Sequence, residues 1–143
     1  MSWSKDEVLA FLDGEVRVGR LATVGADGAP HVVPVWFEVD GDRLLVHSGG
    51  ASRKVRNIRE TGRFSVAVDK DVMPYKGVSI DGAARVGDEG EFDWAGLARR
   101  LSHRYLPAEA ADGFAEYIIG MPGEHAVLVL SVDAWTSWDY TQG

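Results

Sequence analysis

The stretch Gly25-Ala26-Asp27-Gly28-Ala29-Pro30, followed at once by His31-Val32-Val33-Pro34-Val35-Trp36-Phe37-Glu38-Val39, decides the fold class. The first six residues are typical of a turn, and residues 16–24 before them alternate in the manner of a strand. We therefore predict an antiparallel hairpin of two strands, 16–24 and 31–39. The second strand carries bulky apolar side chains at consecutive positions, and so on both faces. Because such a strand cannot have one face in water, we expect it to be central in the sheet or to lie at a subunit interface.

The pattern continues on both sides of this hairpin. Ser4 and Glu7 have the Ser-x-x-Glu spacing of a capping box, which predicts a short N-terminal helix. Further strands are predicted at residues 43–48, 64–69, 78–86 and 125–134, and helices at 52–61, 92–105 and 108–119. About six antiparallel strands with short inserted helices indicate an α+β, mainly β fold. We predict a single domain, residues 1–143, whose sheet curls into a barrel.

Composition limits the function. The 143 residues include 15 Lys or Arg and 22 Asp or Glu, and the net charge of -7 disfavours nucleic-acid and anionic-membrane partners. The absence of cysteine excludes disulfides, thiolate metal sites and a cysteine nucleophile. The four histidines lack metal-ligand spacing, so no metal is expected. No apolar run approaches the ~18 residues of a membrane span and no signal sequence is recognisable, which favours a cytoplasmic protein.

The segment Ser48-Gly49-Gly50-Ala51-Ser52-Arg53-Lys54-Val55-Arg56-Asn57-Ile58-Arg59 carries the functional signal. Ser52 is a good N-cap, which puts Arg53 and Lys54 in the first helical turn, where the helix dipole disfavours cations. Adjacent cations in that place indicate an anion held by their side chains and by the backbone amides, and a phosphate fits best. The preceding glycine pair would let such a ligand approach the backbone.

Helical spacing divides this segment into two faces. Arg53, Arg56 and Asn57 share one face, and Val55 and Ile58 share the opposite, core-facing side. The alternative to a phosphate site is a solvated basic helix whose arginines pair with nearby carboxylates. The sequence leaves both interpretations open.

The hairpin and the basic helix together resemble a known family. Residues 27–37, a strand ending in Ser48, and the segment Ser52-Arg53-Lys54-Val55-Arg56-Asn57-Ile58 are similar to the pyridoxamine 5'-phosphate oxidase-like split β-barrel superfamily. Within it, the chain most resembles the flavin/deazaflavin oxidoreductases that use coenzyme F-420. The resemblance implies a split β-barrel and a homodimer with two cofactor sites at the subunit interface. The pyridoxamine-specific substrate residues are not recognisable, so vitamin B6 oxidation is not favoured.

The resemblance also implies a role for each matched position. The positions are Ser52, Arg53 and Lys54 for the cofactor phosphate; Val35, Trp36 and Phe37 for the border of the tricyclic ring, mainly through backbone groups; Ser48 for the ribityl or phosphate portion; Asn57, similar to the asparagine that follows the basic pair in the deazaflavin branch; and Tyr75 and Lys76, in a segment supplied by the other subunit.

The implied function is an oxidoreductase that takes a hydride from reduced F-420 and delivers it to a small conjugated or aromatic acceptor. A flavin-type ring brings its own reactivity, so the protein needs an apolar wall and a phosphate clamp, and no catalytic residue is assigned. Arg56 and Arg59 supply extra cations, which favours the deazaflavin with its anionic oligoglutamate tail. FMN in the same fold, and a flavin- or deazaflavin-binding carrier without fast turnover, stay open. Residues 88–123 form an insertion that would shape the acceptor pocket.

Overall fold

The computed structural model describes residues 2–142, which form four α-helices and eight β-strands. The helices are α1 (Lys5–Gly14), α2 (Arg53–Thr61), α3 (Trp94–Tyr105) and α4 (Ala108–Ile119), followed by a short 3-10 helix at Tyr140–Gln142. The strands are β1 (Gly19–Val24), β2 (Pro30–Val35), β3 (Glu38–Asp40), β4 (Arg43–Gly49), β5 (Arg63–Lys70), β6 (Lys76–Val86), β7 (His125–Ser131) and β8 (Ala134–Asp139). Within residues 2–142, the helices are too short and too polar to cross a membrane.

All strand pairs are antiparallel, and they form one curled sheet in the order β2-β1-β5-β6-β7-β4-β3. The long strand β6 joins its two halves. Residues 76–83 of β6 pair with β5, and the last three residues pair with β7. Strand β8 pairs with residues 76–81 of β6. Because one strand serves both halves, the sheet closes partly on itself, as the predicted barrel requires.

The interior of the curled sheet is the main core. Alternate residues of β4 and β7 face it, including Leu44 and Leu128, and α1 closes it with Val8 and Leu12. The opposite face of the same two strands carries a second apolar cluster. There Leu45, Val127 and Val129 of the strands pack against Leu97 and Leu101 of α3. Both faces of β4 and β7 are therefore buried, and α3 is fixed beside the barrel.

The helix boundaries agree with the local signals in the sequence. Ser4 and Glu7 form the predicted capping box at the start of α1. Helix α2 ends at Gly62, whose φ of 65° is the left-handed conformation that favours glycine at this position.

The predicted strand at 31–39 is wrong in its extent and in its place. The structure divides it into β2 and β3, because Trp36 and Phe37 leave the sheet between them. Phe37 turns into the barrel core, where it is 1% exposed. Strand β2 lies at the edge of the sheet, paired only with β1, and its Val32 is 64% exposed. A central position is therefore excluded within this chain, and the subunit-interface alternative stays a prediction.

The last predicted strand, 125–134, corresponds to β7, which ends at Ser131, and the additional strand β8 (Ala134–Asp139) was not predicted. The division of the second strand and the additional β8 explain why eight strands are present where about six were expected. In β8, the indole N–H of Trp135 donates to the carbonyl of Trp3 at 2.9 Å. Trp138 approaches Gly77 so closely that a Cβ at Gly77 would lie 2.7 Å from the Trp138 ring. Both tryptophans therefore anchor β8 to the rest of the chain.

Candidate functional site

A mainly apolar cavity of about 480 Å3 lies where β2, β4, α2, α3 and α4 meet. We call it the Trp36 cavity. On the barrel side it is lined by Val35, Trp36, His47 and Lys54. Its opposite wall consists of Ala98, Leu101 and Ser102 of α3 with Phe114 and Ile118 of α4. Apolar walls with one cation at this volume suit a small planar organic molecule. Three of the predicted site residues, Val35, Trp36 and Lys54, thus meet in one cavity.

Aromatic contacts hold Trp36 in place. Its ring stacks on that of Tyr105, with centroids 5.0 Å apart and planes within 6°, and it also contacts Phe114 at 5.4 Å. The Tyr105 hydroxyl donates to the carbonyl of Arg17 at 2.7 Å and accepts the backbone N–H of Phe37 at 3.2 Å. The Trp36 side chain is therefore held in place by Tyr105 of α3 and Phe114 of α4, which contact it from outside the barrel.

Phe37 does not reach the Trp36 cavity. Its side chain lies in the barrel core. Its backbone N–H, which the resemblance assigned to the ring border, bonds to the Tyr105 hydroxyl instead. The inclusion of Phe37 in the site is therefore not supported by its position in this chain.

The start of α2 lacks the side-chain cap that Ser52 was expected to provide. Ser52 is at the N-cap position but makes no capping hydrogen bond, whereas Ser4 and Asp93 cap α1 and α3. Instead, the Ser52 hydroxyl lies 2.9 Å from that of Ser48, which is 4% exposed and donates to the carbonyl of Gly49 at 3.0 Å. The first-turn amides of α2 therefore stay available to an anion.

The basic residues of α2 are not paired with carboxylates. Among residues 2–142, no carboxylate lies within salt-bridge distance of Arg53, Arg56 or Arg59, all of which are exposed. Seven arginines elsewhere are paired: Arg17, Arg20, Arg43, Arg85, Arg99, Arg100 and Arg104. Within residues 2–142, these three arginines therefore lack the carboxylate pairs that the alternative of a solvated basic helix assumed. The half-buried Lys54 adds a cation at the cavity, and burial lowers its pKa.

The two glycines before α2, Gly49 and Gly50, differ in the space around their Cα atoms. A Cβ at Gly50 would lie 2.7 Å from Cβ of Glu124, and the Gly50 N–H donates to the Glu124 carbonyl at 2.7 Å. At Gly49 a Cβ would meet nothing within 4 Å. Gly50 is thus required by packing against Glu124, the residue before β7, whereas Gly49 leaves space for a ligand to approach the backbone.

Asn57 lies on the buried side of α2, contrary to the predicted division of faces. It is 2% exposed, and its amide nitrogen donates to Oγ1 of Thr23, itself 4% exposed, at 3.1 Å. The bond ties α2 to β1 beside Val55 and Ile58. In this structure, Asn57 supports the helix and does not face a ligand.

Tyr75 and Lys76 lie apart from the other candidate residues. Tyr75 is 44% exposed in the connection before β6, and Nζ of Lys76 lies 5.6 Å from the ring centroid of Phe11. Neither lines the Trp36 cavity of its own chain. Their predicted role in the site of a second subunit stays a prediction.

A pair of histidines lies beside the site. Nε2 of His47 lies 2.9 Å from Nδ1 of His125, and the His125 ring stacks on Trp94 with centroids 3.8 Å apart. Burial, together with His125 and Lys54, lowers the pKa of His47 to about 4. The position of His47 next to Ser48 was the only available signal, because the pairing depends on the β4–β7 register. No cluster of three or more candidate metal ligands occurs within residues 2–142.

A second cavity, of about 770 Å3, lies on the other side of this pair. We call it the His125 cavity. It is lined by His125, Trp94, Arg59 and Arg85 among others. Since His47 lines the first cavity and His125 the second, the two histidines connect them.

The curled antiparallel sheet with four helices is the fold of the split β-barrel proteins related to pyridoxamine 5'-phosphate oxidase. The chain belongs to the pyridoxamine 5'-phosphate oxidase family, whose pattern matches residues 4–139. The sequence resemblance to this superfamily is therefore confirmed.

Three relatives illustrate the similarity. Over 75 residues the chain is 43% identical to a 5a,11a-dehydrotetracycline/5a,11a-dehydrooxytetracycline reductase of Streptomyces rimosus; the match covers 47% of this chain and 53% of that protein, about half its length. A conserved hypothetical protein of Mycobacterium tuberculosis is 24% identical with a TM-score of 0.73, covering 96% of this chain and 86% of the other. A structure described as an F420 reductase is 25% identical with a TM-score of 0.66, covering 89% of this chain and 94% of the other.

Proposed function

We propose that the protein is an oxidoreductase that uses reduced coenzyme F-420 to reduce a small conjugated or aromatic acceptor. The observation that carries this proposal is the set of unpaired cations at the start of α2, directly beside the Trp36 cavity. The similarity to a dehydrotetracycline reductase and to an F420 reductase supports the same conclusion.

The residues present fit a phosphate-bearing tricyclic cofactor. The uncapped first turn of α2, the exposed Arg53 and the half-buried Lys54 provide amide and cationic donors for a phosphate. Val35 and Trp36 provide an apolar border for a ring in the cavity. We assign the hydroxyl pair of Ser48 and Ser52, which lie 2.9 Å apart at the start of α2, to the polar chain that joins ring and phosphate.

When bound, the reduced cofactor supplies the hydride, so the work of this chain is to bind, orient and exclude water. The first-turn amides of α2, with Arg53 and Lys54, fix the phosphate end of the cofactor. The position of the phosphate then determines how deeply the cofactor ring enters the Trp36 cavity. The stacked Trp36 and Tyr105 keep that wall rigid. Phe114 and Ile118 of α4 close the opposite side and exclude water from the acceptor. Holding acceptor and ring in contact is the main catalytic contribution we assign to these residues.

F-420 is favoured over FMN by the length of the basic surface. Arg56 and Arg59 are further exposed cations beyond the first turn of α2, and neither forms a salt bridge within residues 2–142. One phosphate does not need them, whereas the anionic oligoglutamate tail of F-420 does. FMN is the alternative cofactor. A carrier that binds either molecule without fast turnover is the alternative function.

We also propose that the protein acts as a homodimer with the cofactor at the subunit interface. The edge strand β2 exposes Val32, and the connection between β5 and β6 exposes Val72, Met73 and Tyr75, which are 64%, 64%, 73% and 44% exposed respectively. Large apolar side chains on an open edge and a loop are typical of an interface. This arrangement would let Tyr75 and Lys76 of one subunit approach the cofactor of the other.

The test is a titration of the cofactor-free protein with F-420 and, separately, with FMN, followed by quenching of tryptophan fluorescence. We expect tighter binding of F-420. Arg53→Ala and Lys54→Met should each weaken binding by about 10- to 100-fold, because each removes a charged hydrogen bond worth about 1.5–3 kcal/mol. Arg63→Ala is the matched control, since Arg63 is exposed and lies beyond the opposite end of α2.

Three outcomes would change the conclusion. Tighter binding of FMN would move the protein to the flavin alternative. Binding without oxidation of the reduced cofactor by quinones, enones or nitroaromatics would favour the carrier. Equal affinities for wild type, Arg53→Ala and Lys54→Met would contradict the phosphate clamp itself.

A further inference from the structure

The hydrogen bonds of the histidine pair define where its protons are. His125 Nε2 lies 3.0 Å from the carbonyl oxygen of Met121, which can only accept, so this nitrogen carries a hydrogen. In a neutral ring, Nδ1 of His125 is then an acceptor. Its partner at 2.9 Å, Nε2 of His47, must therefore be the donor. Nδ1 of His47 is left with a lone pair and has no partner among residues 2–142.

Nδ1 of His47, the nitrogen without a hydrogen-bond partner among residues 2–142, belongs to the histidine that lines the Trp36 cavity. It is therefore the atom at which the pair can take up a proton. Nε2 of His125 is occupied by its hydrogen bond to the Met121 carbonyl. Nε2 of His47 and Nδ1 of His125 are occupied by the hydrogen bond between the two rings. A further proton can enter only at Nδ1 of His47. The hydrogen in the internal bond can then move to His125, so that His47 is again neutral and presents an N–H.

The charged and aromatic surroundings of the two rings differ. On the His47 side, the Lys54 ammonium repels a cation. On the His125 side, the ring stacks on Trp94 with planes within 5°, an arrangement that stabilises a cationic ring. The charged residues that line the His125 cavity are Asp88, Glu89 and Glu124 with Arg59 and Arg85. Arg85 is paired with Glu91, so carboxylates predominate on that side.

We propose that the His47–His125 pair is a proton donor to the molecule bound in the Trp36 cavity, delivering through Nδ1 of His47. This role rests on the proposed function. In the reduction of an enone by the reduced deazaflavin, the acceptor gains a hydride with two electrons and becomes an enolate. The pair has first taken up a proton from solvent, which lies on Nδ1 of His47. That Nδ1–H bond breaks, its electron pair stays on nitrogen, and the proton completes the acceptor. The internal hydrogen returns to His47 Nε2, the pair is neutral again, and water supplies the next proton.

The first test is independent of turnover: nitrogen-detected NMR of the histidine side chains in the cofactor-free protein. Where both rings are neutral, each should be protonated at Nε2. On acidification, the signals of His47 and His125 should shift together as the pair takes up one proton. His103, which lies 2.7 Å from a carboxylate oxygen of Asp112 on α4, is the internal control and should titrate separately. Independent titration of His47 and His125, or a neutral His47 protonated at Nδ1, would overturn the proposal.

The second test measures the loaded enzyme. His47→Gln keeps a donor toward His125 but cannot deliver a proton, so turnover should fall by at least about 10-fold while the F-420 dissociation constant changes less than twofold. The wild-type rate should rise as the pH falls, and this dependence should be lost in His47→Gln. His103→Gln should behave as wild type. Normal turnover and pH dependence in His47→Gln would refute the proton donor and leave the reductase intact. An inactive wild type would instead refute the proposed function, and the NMR result would then decide about the pair.

Discussion

Replacement of Asn57 by alanine tests whether this residue, in the middle of α2, has a structural or a ligand-binding role. The hydrogen bond from Asn57 to Thr23 is 3.1 Å long, and the two residues are 2% and 4% exposed. Its loss costs about 1 kcal/mol, and the Thr23 hydroxyl left without this partner adds about 1–3 kcal/mol. Asn57→Ala should therefore lower the free energy of unfolding by about 3 kcal/mol. For a chain of this length that corresponds to roughly 6–12 °C in Tm.

Thermal and urea unfolding of the cofactor-free protein measure this loss. The helix should stay attached, because the Thr61 hydroxyl donates to the carbonyl of Val24 at 2.9 Å. F-420 and FMN affinities, measured well below Tm, should change by less than about twofold. The double variant Thr23→Val/Asn57→Leu should recover most of the stability, since removing both polar partners leaves none unsatisfied. An unchanged Tm together with a tenfold loss of cofactor affinity would refute the reasoning and return Asn57 to the ligand face.

Two further predictions concern the loop before α2 and an exposed ion pair. Gly50→Ala should destabilise the protein by about 1–3 kcal/mol through overpacking against Glu124, whereas Gly49→Ala should be close to neutral; thermal unfolding of both variants checks this. Hydrogen bonds from Arg85 and from the backbone N–H of Asp88 lower the pKa of Glu91 from 4.5 to about 2. Its stabilising contribution is thus present above pH 4.5 and is lost as the pH falls through about 2. Carboxyl NMR titration should find this low midpoint in wild type and a higher midpoint in Arg85→Gln, still below 4.5 because the Asp88 N–H continues to donate to Glu91.

Local signals made most of the fold predictable. The capping box of α1, the glycine after α2 and the turn before β2 depend on neighbouring residues only, and each is found where the sequence indicates it. The break at Trp36 and Phe37 could not be predicted in this way. The hydroxyl that bonds to Phe37 comes from Tyr105, 68 residues further along the chain.

The same distinction applies to the site. The basic residues of α2 were predictable because their position in the first turns is a property of one segment. The orientation of Asn57 was not predictable, because its position in α2 borders both the predicted polar face and the predicted core face. The hydrogen bond to the Thr23 hydroxyl, 34 residues away in the chain, places it on the buried side. The histidine pair was not predictable either, since His47 and His125 meet only through the register of β4 and β7.

The walls of the Trp36 cavity come from separate parts of the chain. The cations that we propose to bind the cofactor phosphate are on α2, while five residues of the opposite wall come from α3 and α4, one continuous stretch within residues 88–123. Replacement of that stretch would change the shape of the cavity and leave the cations unaltered. If the proposed function is correct, exchange of this single helical hairpin would change the substrate range without changing the cofactor, and a library randomised at Phe114 and Ile118 is the direct way to engineer a new acceptor preference.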